Sequence, residues 1–377
     1  MGLFLRKAHF GSWRAEATIC RSSGHVTQAG SAPVFSKQFN PQSSPRGLRR
    51  QSGAADWFLI AMVGAVLLAS VAPQWGRSEG VLHLGRVTDV GVFLLFFLHG
   101  MGLSTDSLKT GATRWKLHVL VQASTYVLFP LWWGALSMLL GRWVPHDLLM
   151  GFFYLAVLPS TVSSSVAMTA LARGHVAAAV LNATLSTLLG VFLTPLLVSV
   201  VMQGQGHDLD VGHTMAKVAQ MLLLPFVAGH LLRPLLLSWF ARIKPITNIF
   251  DRAVIVLLVW SAFSDSVADG LWTRHGPLLL AQAILGAALF LAPMLWVTRR
   301  MARAMGFEVE DEIVAVFCGS KKTLASGMPM AKLLFGGSAA MGVLILPIML
   351  YHQLQLFVCA VMARRYAARA AKSIVSA

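Results

Sequence analysis

The stretch Phe317-Cys-Gly-Ser-Lys-Lys-Thr-Leu-Ala-Ser-Gly-Met-Pro-Met-Ala331 places two adjacent lysines inside an apolar segment. A charged side chain at the centre of a bilayer costs roughly 2.5–3.5 kcal/mol on insertion scales, so Lys321 and Lys322 must face protein, water or substrate. Gly319 and Pro329 loosen the helix around them, and backbone loosened in this way has to be buried in protein or line a cavity. The stretch therefore predicts one half of a transport site.

The composition is that of a membrane protein. Of the 377 residues, 56% are hydrophobic and 12% are charged, far from the balance of a soluble globular domain. The three cysteines form no C-x-x-C pair and no even set, which argues against zinc sites and disulfides. We expect no cofactor except sodium as a coupling ion. An enzyme is disfavoured because no catalytic motif is present and the histidines near span ends have no visible partner. These histidines are His99, His175, His213 and His230.

The hydrophobic residues fall into ten runs, each long enough for the ~20 helical residues that cross a bilayer core. We therefore predict an all-α polytopic membrane protein with ten transmembrane helices. The predicted spans are residues 55–72, 86–103, 117–140, 148–171, 176–202, 215–236, 253–269, 278–297, 312–335 and 341–363.

The positions of lysine and arginine predict the orientation. The net charge of +16 could indicate nucleic acid, but the cytoplasmic loops of membrane proteins carry an excess of basic residues. With both termini in the cytoplasm, and residues 1–52 left aside, fifteen basic residues fall in cytoplasmic segments and five in external ones. The charge thus predicts a multi-pass protein of the plasma (inner) membrane with both termini cytoplasmic. Its partner is the lipid bilayer, and nucleic acid is not needed to explain the charge.

The two ends of the chain are predicted to lie outside the membrane. Residues 1–52 carry eight basic residues against one acid, Glu16, with many serines and glycines, which predicts a basic, disordered tail. The same composition fits an organellar transit peptide, which would place the protein in an organellar membrane. Residues 367–377 form a predicted cytoplasmic C-terminal tail.

Two of the ten predicted spans are interrupted. The fourth contains Leu158-Pro-Ser-Thr-Val-Ser-Ser-Ser-Val166, and the ninth contains the lysine stretch. Each is the fourth in a group of five, and because five is odd the two groups enter the membrane from opposite sides. Interrupted segments at corresponding places in two halves are typical of inverted-repeat transporters. We therefore predict two inverted five-helix repeats, residues 53–203 and 204–366, whose breaks meet near the bilayer midplane.

The hydroxyl groups of the fourth span are candidate ligands. They lie beside carbonyls that Pro159 frees from the helix, an arrangement suited to a dehydrated monovalent cation or a polar substrate. The alternative is that they bond to the preceding helical turn or join closely packed helices. The residues concerned are Ser160, Thr161, Ser163, Ser164 and Ser165.

Amides and lysines supply the remaining candidates. Asn182 and Ser186 lie at i and i+4 in the fifth span, on one helical face, and Gln122 is the amide in the middle of the third span. Each could instead serve only to join helices. No carboxylate lies well inside a predicted span, so carbonyls at helix ends or a substrate anion must neutralise the lysines, unless the lysines are purely structural. The predicted substrate ligands are Ser163, Ser164, Asn182, Lys321, Lys322 and Thr323.

These motifs resemble those of the bile acid:sodium symporter superfamily, and specifically its SBF-like branch. The resemblance covers about Asp56 to Tyr366. It is carried by Leu158-Pro-Ser-Thr-Val-Ser-Ser-Ser-Val166, by Arg173-Gly-His-Val-Ala-Ala-Ala-Val-Leu-Asn-Ala-Thr-Leu-Ser-Thr-Leu-Leu-Gly190, by Leu193-Thr-Pro-Leu-Leu197 and by Phe317-Cys-Gly-Ser-Lys-Lys-Thr-Leu-Ala-Ser-Gly327.

The resemblance implies a fold and a set of ion ligands. Spans 1, 2, 6 and 7 would form a panel domain, spans 3–5 and 8–10 a core domain, and spans 4 and 9 would unwind and cross. The sodium-binding positions of the family map to Ser164, Ser165 and Ser186, with Gln122 as a further match.

The chain departs from the sodium-dependent bile acid carriers at the ninth span. Those carriers place a glutamate followed by Gln-Asn at the break, where this chain has no acid. This difference suggests that one ammonium group stands where those carriers bind sodium. Transport would then be uncoupled, coupled to protons through lysine deprotonation, which burial favours, or dependent on a single remaining sodium ion.

The sequence thus predicts a secondary active transporter that moves a small organic anion by alternating access, with sodium or protons as the coupling ion. The alternative is a non-transporting or channel-like membrane regulator of ion homeostasis. Such a regulator would tolerate alanine at Lys321 and Lys322 without a loss of flux. The sequence specifies neither the substrate nor the oligomeric state.

Overall fold

The computed structural model describes residues 60–103, 113–203, 211–268, 276–335 and 340–375, together with 270 and 338. The predicted N-terminal tail lies outside these ranges. The described residues form helices and turns, with no strand among them. The helices are α1 (Ile60–Val71), α2 (Pro73–Gly76), α3 (Leu84–Gly102), α4 (Trp115–Leu140), α5 (His146–Val157), α6 (Ser163–Leu171), α7 (Val176–Gln203), α8 (residues 211–268), α9 (Pro277–Ala304), α10 (Val309–Gly319), α11 (Leu324–Phe335) and α12 (Met341–Val375).

Six of these helices are long and apolar enough to cross a membrane. They contain Leu84–Gly102, Trp115–Leu140, Val176–Met202, Met215–Lys244, Pro277–Ala304 and Met341–Arg369, and α1 and α5 are shorter apolar helices. The helices agree with the prediction of an all-helical integral membrane protein. The count of ten spans, the two repeats and their boundaries remain predictions.

The helices end where the sequence supplies helix-ending residues. Pro277 is at the start of α9, where a proline loses no hydrogen bond. The same helix ends at Ala304. Gly306, two residues later, has a positive φ of 71°, and the Phe307 N–H donates to the Ala302 carbonyl over 3.1 Å, as in a Schellman motif. Helix α12 continues to Val375 and so includes most of the predicted C-terminal tail, residues 367–377.

The sixth and seventh predicted spans form one helical run rather than two helices with a loop between them. Residues 237–252 of α8 are helical throughout, although their arginines and lysine suggested a loop. The run is not straight. Phe226 approaches Gly100 of α3 while Val254 approaches Gly91. Nine residues of α3 cover about 14 Å, whereas 28 residues of straight helix would cover about 42 Å, so α8 bends back along α3.

The close approach of α3 and α8 depends on two glycines. A Cβ atom at Gly100 would lie 1.9 Å from the Phe226 carbonyl oxygen, and one at Gly229 would lie 2.0 Å from that of Phe97. Real Cβ atoms do not approach backbone this closely, so the contact requires glycine on both helices. Backbones that approach through small residues are the usual form of helix packing in membranes.

The first turn of α10 is fixed by ion pairs. Glu312 is 4% exposed and accepts hydrogen bonds from Arg299 Nε at 3.0 Å and Arg303 Nε at 2.7 Å, both on α9, and from the Tyr366 hydroxyl on α12. Asp311 pairs with Arg114, just before α4. Acids in a first turn also oppose the positive end of the helix dipole. These contacts hold the helix that leads into the lysine stretch.

Candidate functional site

The fourth predicted span is interrupted at Pro159. Helix α5 ends at Val157, and α6 begins at Ser163. Leu158 is extended, with φ −71° and ψ 150°, because a residue that precedes proline avoids the helical region. The last carbonyls of a helix have no partner within it, so the end of α5 presents acceptors inside the protein.

Groups from other parts of the chain satisfy these acceptors. The Val157 carbonyl accepts from Thr194 Oγ1 on α7 at 2.7 Å. The Pro159 carbonyl accepts from the Thr323 N–H at 3.0 Å. The carbonyls of Ala156 and Leu158 accept from the Lys322 ammonium, each at 2.7 Å. The lysine stretch therefore completes the end of α5.

The ninth predicted span is interrupted at the lysines themselves. Helix α10 ends at Gly319, and α11 begins at Leu324, so residues 320–323 are not helical. Besides the contact between Thr323 and Pro159, Ser165 Oγ donates to the Phe317 carbonyl at 3.0 Å. The two breaks predicted from the sequence thus lie in direct contact with each other.

Lys322 is the centre of this contact. Its side chain is fully buried, and its ammonium group donates to the carbonyls of Thr125, Ala156 and Leu158 at 2.9, 2.7 and 2.7 Å. It also lies 4.1 Å from the centroid of the Phe129 ring, an attractive arrangement for a cation. Three hydrogen bonds use all three N–H donors. The negative end of the α5 dipole supports the charge.

A π-helical turn contributes one of the three carbonyls. Residues Ser124–Leu128 of α4 form this turn, which contains Thr125. Such turns are rare and occur frequently at functional sites. Carbonyls at the two helix irregularities therefore surround the Lys322 ammonium, as one of the possibilities that the sequence left open requires.

Lys321 points in a different direction. Its ammonium donates to the Ser164 carbonyl at 3.0 Å and lies 5.8 Å from the Phe317 ring centroid. It is also fully buried. In this conformation neither lysine lines the cavity between α3, α6, α7 and α8. The role of the two lysines as substrate ligands stays a prediction.

Gln355 on α12 holds the lysine stretch from the other side. Its side-chain oxygen accepts from the Lys322 N–H at 2.8 Å, and its side-chain nitrogen donates to the Lys322 carbonyl at 2.7 Å. The Tyr351 hydroxyl donates to the Ser320 carbonyl. Neither Gln355 nor Tyr351 was predicted from the sequence. The signal was present, since Gln355 is a buried amide in a run that is otherwise largely apolar.

The predicted ion ligands lie around the first break. Ser186 Oγ accepts from the Ser160 N–H at 2.9 Å, and Ser164 Oγ donates to Thr161 Oγ1 at 3.3 Å. Ser165 bonds to Phe317 as described above. These bonds fit the structural alternative for hydroxyl groups as well as a ligand role, so ion binding by Ser164, Ser165 and Ser186 stays a prediction.

Two buried amide oxygens near this break accept no hydrogen bond from the described residues. They belong to Gln122 and Asn182. The Gln122 amide nitrogen donates to the backbone carbonyl of Asn182 at 3.1 Å, and the Asn182 amide nitrogen donates to the backbone carbonyl of Ala178 at 3.0 Å. Buried acceptors usually have a partner, so these oxygens are suited to a ligand that donates hydrogen bonds or to a cation.

A cavity of about 290 Å³ lies between α3, the start of α6, α7 and α8. Of the predicted substrate ligands, Ser163 lines it. His99 on α3 and Asp251 on α8 also line it, with 3.7 Å between His99 Nε2 and Asp251 Oδ1. The expectation that His99 has no partner was wrong, because Asp251 is distant in sequence and the bend in α8 brings it to α3.

The comparisons with known proteins concern nearly the whole of the described chain. The model of the SBF-like CPA transporter family matches residues 56–368. The chain is 46% identical over 314 residues to an uncharacterised protein of Pseudomonas aeruginosa, covering 83% of this chain and 93% of that protein. It is 44% identical over 317 residues to the Escherichia coli protein named "Putative symporter YfeH", with coverage of 82% and 92%. It is 29% identical over 312 residues to sodium/bile acid cotransporter 7 of Danio rerio, with coverage of 81% and 92%.

Proposed function

The chain belongs to the SBF-like CPA transporter family, as its motifs indicated, and on this premise we propose that it is a secondary active transporter that moves a small organic anion by alternating access. The observation that carries the proposal is the direct contact between two interrupted helices around a buried ammonium group. Irregular backbone inside a membrane protein is tolerated where it is buried or lines a cavity, and in transporters it marks the binding site.

The moving parts of the proposed carrier are two groups of helices. Helices α1, α3 and α8 correspond to the predicted panel, and α4–α7 with α9–α12 correspond to the predicted core. This division is the one that the family resemblance implies, and the predicted inverted repeat would place each break in the fourth span of its half. The cavity has walls from both groups, with Leu95 and Phe240 on the panel side and Ser163 and Thr184 on the core side. Movement of the core against the panel would open and close it.

The predicted orientation gives the direction in which this cavity opens. Leu103 and Lys244 line it. Leu103 lies at the predicted cytoplasmic end of the second span, and Lys244 lies in the predicted cytoplasmic loop after the sixth. The conformation would therefore be the one in which the cavity faces the cytoplasm, and the outward-facing conformation would expose the same walls to the other side.

The position of the Lys322 ammonium limits which ions could be coupled to transport. Its ammonium occupies a set of carbonyls of the kind that could hold a metal cation. A tethered cation at this position makes a mobile cation unnecessary there. Coupling would then use the remaining acceptors near Gln122, Asn182 and Ser186 for one sodium ion, or it would use protons.

Counterflow in proteoliposomes tests the proposal. Purified protein is first screened for anions that raise its unfolding temperature, because a ligand that binds the folded form stabilises it. The screen includes bile acids, since relatives carry that name, and small carboxylates. We expect a stabilising anion to show accelerated uptake into vesicles loaded with the same anion. Absence of exchange for every stabilising anion would favour the regulator of ion homeostasis instead.

A further inference from the structure

The cavity contains charged groups to which the proposed function assigns no role. Among the described residues that line it, only three have titratable side chains, namely His99, Lys244 and Asp251. Apolar side chains such as Leu95, Phe226 and Phe250 form much of the remaining wall. A cavity of about 290 Å³ with an apolar lining and a few convergent polar groups is the usual form of a small-molecule site.

His99 and Asp251 face each other from two different helices. The side chain of His99 is 29% exposed and that of Asp251 is 18% exposed. Their separation of 3.7 Å is short enough for electrostatic attraction and too long for a hydrogen bond. Asp251 Oδ1 is buried and accepts no hydrogen bond from the described residues. A proton on His99 would give this oxygen a charged partner, because the cation and the carboxylate stabilise each other.

The charged groups in the cavity determine which kind of ligand can bind together with a proton on His99. Lys244 and Asp251 contribute one charge of each sign to the lining. Protonation of His99 adds one positive charge to the cavity, and a bound monoanion adds one negative charge. Each therefore favours the binding of the other. Two ligands that favour each other's binding do so by the same factor in both directions, so protonation strengthens anion binding and the anion strengthens protonation.

We propose that His99 and Asp251 are a proton-binding site of the cavity, and that a proton and a small monoanion with an apolar body bind there together. The inference rests on the proposed carrier and deepens it, since it identifies protons as a coupling ion without deprotonation of a lysine. Histidine is suited to this role because its charge changes between roughly pH 5 and pH 8.

Other charged groups near the pair are few among the described residues. Arg252 follows Asp251 on α8 and interacts electrostatically with it. His230 and Arg233 lie earlier on α8 than Asp251. The backbone of His230 approaches Gly100, and Arg233 Nε donates to the Met101 carbonyl at 3.1 Å. The walls from α6 and α7 contribute Ser163, Val166, Thr184 and Thr187, none of which is charged. His99 is therefore the only histidine among the described residues that line the cavity.

The test measures protons taken up when benzoate binds. Benzoate combines one negative charge with an apolar ring. Calorimetry of the full-length protein in lipid nanodiscs, in two buffers with different ionisation enthalpies at a pH of about 7, gives the number of protons bound with each anion. We expect about one proton per benzoate where His99 starts neutral, and a dissociation constant that rises ~tenfold for each pH unit in that range.

Variants separate the pair from other groups. His99→Gln should lose the proton uptake and the pH dependence, while Asp251→Asn should move both to lower pH. His146→Gln is the matched control, because His146 is exposed and lies at the start of α5 outside the cavity. Unaltered unfolding of each variant without benzoate shows that it is folded.

Each other outcome would overturn the inference. These outcomes are absence of benzoate binding between about pH 5.5 and pH 8, binding without proton uptake, and proton uptake that persists in His99→Gln. None of these outcomes bears on the counterflow experiment. A protein that exchanges anions but fails the benzoate test would still support the proposed carrier and would rule out the proton site.

Discussion

Removal of the Lys322 side chain would leave three buried carbonyls without a donor. We expect Lys322→Ala to lower the free energy of unfolding by about 3–5 kcal/mol, as when one partner of a buried charged contact is removed. Methylammonium should restore part of this loss, because it carries the same donors and fits the space that is left. The measurement is the unfolding temperature of the purified protein with added salts.

Two controls identify the cause of that effect. Tetramethylammonium has the charge without the donors and should restore nothing. Lys322→Met keeps the bulk of the side chain without the charge, so it should be destabilised but should not respond to methylammonium. Equal stabilisation of the alanine variant by both ammonium salts would contradict a site made of hydrogen-bond acceptors.

The sequence predicted where the lysine site lies, but it did not predict which groups contact its side chains. The rule that charge inside a membrane must face protein or water was enough to place Lys321 and Lys322 away from lipid. It left open whether carbonyls or a substrate anion neutralise the lysines, or whether the lysines are purely structural. The carbonyl of Thr125 is available because the Phe129 N–H bonds to the Ser124 carbonyl in the π-helical turn and Pro130 has no N–H. Pro130 was a signal of this irregularity in the third span that the sequence prediction did not use. Asp251 was missed as a partner of His99 because the contact depends on the bend in α8.

The packing of α3 against α8 depends on close backbone contact at two glycines. We expect Gly100→Ala and Gly229→Ala each to lower the free energy of unfolding by about 3 kcal/mol or more, because each new methyl group would meet a carbonyl oxygen and overpacking against rigid backbone cannot relax cheaply. Gly134→Ala in α4 is the control. Its methyl group would meet no atom within 4 Å, so it should keep or slightly raise the stability, by up to about 1 kcal/mol. Thermal unfolding of the three variants measures this.

The buried carboxylate of Glu312 joins α9, α10 and α12. Glu312→Gln keeps the shape but removes the charge that faces Arg299 and Arg303. Since both arginines are partly exposed and can turn to solvent, we expect a loss of about 2 kcal/mol rather than the full value for a buried pair. Glu310→Gln in the same turn is the control because Glu310 is exposed, and it should unfold at the wild-type temperature. A wild-type unfolding temperature for Glu312→Gln would contradict the role of the ion pairs in holding α10.

At the level of the whole molecule, alternating access requires that one cavity wall be reachable from one side of the membrane at a time. Ser163 is exposed and lines the cavity, whereas Ser165, two residues later, is fully buried against α10. Introduced cysteines at these positions should therefore differ in their reaction with a membrane-impermeant maleimide. Cys318 and Cys359 are buried, so a Cys20→Ser background gives little other labelling.

In the conformation described, and with the predicted orientation, Ser163→Cys should react from the cytoplasmic side. We expect labelling in inside-out vesicles to be ~10-fold faster than in right-side-out vesicles, which corresponds to a cytoplasm-facing state favoured by about 1.4 kcal/mol. Ser165→Cys should react slowly in both. A transported anion at saturating concentration on the cytoplasmic side should slow the labelling of Ser163→Cys, because it occupies the cavity and lets the core move. Equal rates from both sides would indicate a continuous pore, which is the behaviour of a channel and not of a carrier.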